Sequence, residues 1–91
     1  MRSAIPKYLD ATGAVKAAPG FVHGISLAAG SGAAATVILD DSVAGSGTNK
    51  WKMAAVTAGG DSITFDPPIA FAVGIYATLG GAGATVSVAY E

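Results

Sequence analysis

Residues 67–90 contain no Asp, Glu, Lys or Arg, and the run is closed off by Asp66 and Glu91. Soluble domains use about 25% charged residues overall, so an uncharged run of this length has to be covered by protein or by lipid. The run is not uniformly apolar. Ile69, Phe71 and Val73 alternate with Ala70 and Ala72, and Val86, Val88 and Tyr90 alternate with Thr85, Ser87 and Ala89. A period of two is the signature of strands. Gly80-Gly81-Ala82-Gly83 predicts a hairpin between the last two strands, and Gly74 permits a bend before them. Pro67-Pro68 lacks amide donors and belongs at a corner or a sheet edge.

The same period extends back through the chain. In residues 21–28, Phe21, His23, Ile25 and Leu27 share one face and Val22, Gly24, Ser26 and Ala28 the other. Residues 35–40 oppose Val37 and Leu39 to Thr36 and Ile38. Residues 50–57 put Trp51, Met53 and Ala55 inward with Lys50 and Lys52 outward, and Ile63 and Phe65 face inward from residues 62–66. Gly30-Ser31-Gly32, the polar stretch 41–49 and Gly59-Gly60-Asp61 are turn or loop signals. The pattern predicts an all-β domain over residues 20–91, a small antiparallel β-sandwich or barrel of six to eight strands.

Residues 1–19 read differently. Ile5, Tyr8 and Leu9 have helical spacing after Pro6, but Thr12-Gly13 and Pro19-Gly20 stop any helix. The segment reads as an extended N-terminal arm whose apolar anchors Ile5, Tyr8 and Leu9 are the candidate partner-binding residues. The alternative is an ordinary first edge strand or a frayed terminus.

At 91 residues and 12% charge, the chain is small enough to gain from assembly and has little charge to keep a bare surface soluble. It has no cysteine, hence neither disulfides nor thiolate metal sites. The net charge of −1 gives no basic footprint for nucleic acid. Lys50 and Lys52 around Trp51 read as the solvated face of a strand. Pro6, Asp10, Thr12 and Gly13 interrupt any apolar signal segment, so use without Sec export is expected. Residues 17–39 and 67–90 are long enough for membrane helices. Mid-span glycines, Thr/Ser alternation and the lack of aromatic or basic flanks favour strands instead.

No catalytic constellation is present. His23 is the single histidine, and Gly24-Ile25-Ser26-Leu27-Ala28 lacks the final glycine of a nucleophile elbow. Asp40-Asp41 with Ser42, Ser46, Thr48 and Asn49 is rich in oxygen but lacks the spaced acids of a calcium loop. Gly45-Ser46-Gly47-Thr48 has neither the lysine nor the following helix of a phosphate loop. Asp61 and Asp66 straddle a short strand and need not converge. The expectation is a non-enzyme with no cofactor and no metal.

Four segments carry a resemblance. They are Gly20-Phe21-Val22-His23-Gly24-Ile25-Ser26-Leu27, Ala35-Thr36-Val37-Ile38-Leu39-Asp40-Asp41, Pro68-Ile69-Ala70-Phe71, and the run from Gly74-Ile75-Tyr76 to Val86-Ser87-Val88-Ala89-Tyr90. In this order they resemble small structural proteins of tailed-bacteriophage virions. The resemblance covers residues 20–91. It implies a compact β-domain located in the virion, assembled in the host cytoplasm, with capsid decoration (cement) as the leading role. The implied partners are the major capsid protein or other virion proteins, and copies of itself, with a trimer favoured. A head–tail connector, tail or fibre-attachment component is the alternative in the same particle. A carbohydrate- or surface-binding module using Trp51 and Tyr76 or Tyr90 as stacking platforms is the alternative from another class.

Overall fold

Eight strands and no helix make up the described residues, 4–91, of the computed structural model. They are β1 (Ile5–Leu9), β2 (Gly13–Lys16), β3 (Gly20–Ala28), β4 (Ala35–Asp41), β5 (Thr48–Ala55), β6 (Gly60–Phe71), β7 (Ile75–Gly80) and β8 (Thr85–Tyr90). Two antiparallel four-stranded sheets, ordered β1-β8-β3-β6 and β2-β7-β4-β5, pack face to face. The antiparallel β-sandwich expected from the alternation is therefore present. No helix among the described residues is long and apolar enough to cross a membrane.

The strand order has a simple origin. β1 pairs with β8, β2 with β7, β3 with β6 and β4 with β5. These four pairs wrap so that β3 also meets β8 and β4 also meets β7. This is jelly-roll topology. Of the seven connections only β4–β5 stays within a sheet; the others cross between sheets.

The glycine segment at 80–83 is thus not a hairpin, because β7 and β8 lie in opposite sheets. Gly81 and Gly83 hold φ of 98° and 78°, backbone states that side chains rarely adopt, and they arch the chain over the sandwich end. A glycine turn is compatible with either connection; the strand neighbours decide which one forms.

Residues 4–19 do not extend from the domain. β1 and β2 are edge strands, one in each sheet, and Val15 of β2 is buried in the core. Thr12 joins them to the body, its Oγ1 accepting a 3.0 Å hydrogen bond from the Leu79 amide. The helical spacing of Ile5, Tyr8 and Leu9 gives way to strand pairing with β8, which satisfies backbone groups a short isolated helix would leave to water. The arm expected over residues 1–19 is replaced by two edge strands; residues 1–3 lie outside the described residues.

Alternation sets the core: Val22, Ile25, Leu27, Val37, Leu39, Ile75, Val86 and Val88 are each 3% exposed or less. One irregularity changes the expected faces of β3. Between Val22 and Gly24 the register with both neighbours shifts, leaving His23 as the extra residue of a bulge. Val22 therefore points inward together with Ile25 and Leu27, while Phe21 is turned out and is 38% exposed. Opposite the bulge, β6 loops out residues 65–68, including the cis Asp66–Pro67 bond. The proline pair is thus on an edge strand, as its missing donors require.

Candidate interaction surface

The sandwich has two ends. One gathers the 17–19, 42–47 and 72–74 connections with residues 4 and 91; the other gathers 10–12, 29–34, 56–59 and 81–84. Exposed large apolar side chains occur at both ends and on the β1-β8-β3-β6 sheet: Val43, Val73, Ile5 and Phe21 toward the first end, Val56 at the second, Tyr8 on β1 and Ile63 on β6.

Ile5, Tyr8 and Leu9 are all on β1, but they do not form one patch. Residues directly opposite one another on paired strands point to the same side. Ile5 faces Tyr90 and Leu9 faces Val86, both on the core side, whereas Tyr8 faces Ser87 on the outer side. Leu9 packs against the core, while Ile5 and Tyr8 are 54% and 63% exposed. A strand separates what a helix would have brought together.

The three aromatic side chains considered as stacking platforms are engaged elsewhere. Trp51 is half-buried, in an edge-on contact with Phe65 at 4.8 Å between centroids, and closes the margin between β5 and β6. The Tyr76 ring lies under the 42–47 loop, where a Cβ on Gly45 would come within 2.8 Å of it. Tyr90 packs against the core beside Val22. The exposed aromatic rings are instead those of Tyr8 and Phe21.

Asp40 and Asp41 diverge. Asp41 accepts hydrogen bonds from the amides of Val73 at 2.7 Å, Ala72 at 3.0 Å and Gly74 at 3.3 Å. The Val73 amide, then that of Ala72, hold its carboxyl below the usual carboxylate range, against partial desolvation, with Gly74 and the Lys50 charge adding to the effect. Asp40 is 4% exposed, lies opposite Tyr76 and Asn49, and has one oxygen, Oδ1, without a hydrogen-bond donor. The Ser42 hydroxyl accepts from the Gly45 amide. The Asp41 and Ser42 oxygens thus serve the turn and the loop, and no group of three His, Cys, Asp or Glu among the described residues could hold a metal. At the β3 bulge, His23 Nε2 lies 3.1 Å from Glu91 Oε2, an ion-pair distance outside hydrogen-bond geometry.

No protein-family model matches the chain, and no curated protein or solved structure matches it significantly.

Proposed function

We propose that this chain is a structural protein of a tailed-bacteriophage virion, a capsid decoration protein that binds and stabilises the shell of the major capsid protein. The observation that carries it is the combination of a small jelly roll with 12% charge and large apolar side chains left at the surface. Such a surface is suited to being covered by protein. Jelly rolls occur among viral capsid and lectin domains; fold alone assigns no function, and it is the resemblance of residues 20–91 that favours the virion. Ile5 and Tyr8 on an exposed edge, together with Val43 and Val73 at one end, are the contacts assigned to neighbouring subunits.

Purified protein added to undecorated, expanded shells is expected to bind and to saturate at a stoichiometry set by the lattice. Absence of binding overturns the proposal. Densitometry of intact virions separates the places within the particle: hundreds of copies fit decoration, whereas a few copies in multiples of the portal symmetry move the chain to the connector or tail.

A further inference from the structure

The outer face of the β1-β8-β3-β6 sheet is laid out in rows of opposed residues. One row runs Tyr8, Ser87, Ser26, Ser62 across all four strands, and the next runs Pro6, Ala89, Gly24, Thr64. Neither row holds a charge; His23 and Glu91 stand at the margin, by the bulge. Because the side chains are small, the middle of the face is low. A shallow groove of about 240 Å³ lies over Gly24, Ser26, Ser62, Thr64, Ser87 and Ala89. Tyr8 stands on the β1 side of the same face, 63% exposed. A projecting ring and a depression are thus carried by one surface.

We propose that this face pairs with the same face of a second copy of the chain, about a two-fold axis running along the strands between β8 and β3. That operation exchanges β1 with β6 and β8 with β3 while keeping each row in place. Tyr8 of either copy then covers Ser62 of the other, Ser87 meets Ser26, Pro6 meets Thr64, and Ala89 meets Gly24. Each ring fills a depression, hydroxyls face hydroxyls, and no like charges are opposed. The result is a two-fold pair in place of the trimer that the resemblance favours.

Area and elimination support this occupant. The molecule is a slab of 37 × 28 × 17 Å. The full rectangle of a broad face is about 1,000 Å² at most, so a pairing that covers most of it, the Phe21 and Glu91 end included, reaches the ~800 Å² per partner of a stable interface. The opposite broad face is less suited, since it bears Lys52 beside Ile38 and is partly roofed by the 42–47 loop. The edges are guarded against strand pairing by Pro6 in β1, Pro67-Pro68 in β6, Lys50 and Lys52 in β5, and the irregular register of β2.

Pairing of two copies is tested on free protein, so failure of shell binding leaves it standing and its own failure leaves the virion reading standing. The chain has no cysteine, so single-cysteine variants report cleanly. Tyr8→Cys mixed with Ser62→Cys, treated with a short thiol cross-linker spanning the roughly 10 Å between packed sheets, is expected to give a covalent heterodimer, with little product from either variant alone. Sedimentation of the unmodified chain is expected to show a monomer–dimer equilibrium. Ser26→Glu, which would desolvate a charge at the centre of the face, is expected to weaken it at least about tenfold with the circular dichroism unchanged. A monomer at every concentration overturns the proposal. So does a dimer that Ser26→Glu leaves intact, or one in which Tyr8→Cys cross-links efficiently to itself.

Discussion

Asp41 at the end of β4 accepts a 2.7 Å hydrogen bond from the amide of Val73, thirty-two residues further along. With the Ala72 and Gly74 amides on the same carboxylate, one side chain from the β2-β7-β4-β5 sheet organises the turn by which the chain leaves the other sheet. The turn amides have no strand partner, and a carboxylate satisfies them more strongly than a neutral acceptor would.

Replacing Asp41 by Asn is therefore expected to lower the melting temperature at neutral pH. The folded-state pKa lies below that of an ordinary aspartate, so this contribution is fully present above the ordinary, unfolded value and is lost as pH falls through the lower folded one. Thermal melts of both chains across this range should converge at the acid end. A gap that persists unchanged in acid would show that the carboxylate charge is not what holds the turn.

Deleting residues 1–19 is expected to prevent folding. The cut removes β1 and β2, bares the edges of β8 and β7, and takes the buried Val15 out of the core. Far-ultraviolet circular dichroism and proton NMR dispersion of the truncated chain check this. A dispersed, strand-rich spectrum would mean that residues 20–91 suffice.

Leu39→Ala is expected to cost about 2–5 kcal/mol, the range for emptying a closed core site. Leu39 is fully buried, and a domain this small has little stability in reserve. Urea unfolding gives the value, and a loss below 1 kcal/mol would place Leu39 in a core able to collapse around the gap.

Trp51 is expected to emit at shorter wavelength than a solvated indole, because Phe65 and the core cover much of its ring. Denaturant should shift the emission to the red in step with loss of structure. Phe65→Ala, which removes the edge-on partner, should move the folded-state emission part of the way.

Tyr8→Ser is expected to change stability by no more than about 0.5 kcal/mol, as for most exposed positions, yet to reduce association. Chemical denaturation and sedimentation measured on the same preparation separate the two effects. A large stability loss would make Tyr8 a packing residue.

Alternation made the strands legible without any structure. Val37 and Leu39 in β4, and Val86 and Val88 in β8, face inward as their period of two requires, and the prolines of β6 lie on an edge because they cannot donate. The candidate contact residues were only partly legible. Ile5 and Tyr8 are exposed, but their spacing suited a helix as well as a strand, and nothing local indicated that β8 would claim the segment. The row of Tyr8, Ser87, Ser26 and Ser62 joins residues from four distant parts of the chain, so no window of sequence contains it.

Legible in the residues themselves are the all-β class, the inward set of most strands, and the absence of charge from residues 67–90. Those follow from local periodicity and composition, which each segment carries alone. Long-range strand pairing settles that β7 and β8 go to opposite sheets across the glycine segment, that a bulge at His23 turns Phe21 outward, and that residues 5–16 complete both sheets. Each of these depends on which strand lies alongside. Pairing is a competition among distant segments for the same backbone hydrogen bonds, and no segment encodes its neighbour. The uncharged run of residues 67–90 is accordingly divided: Val86 and Val88 close the core, while Ser87 and Ala89 lie on the opposite face of the same strand.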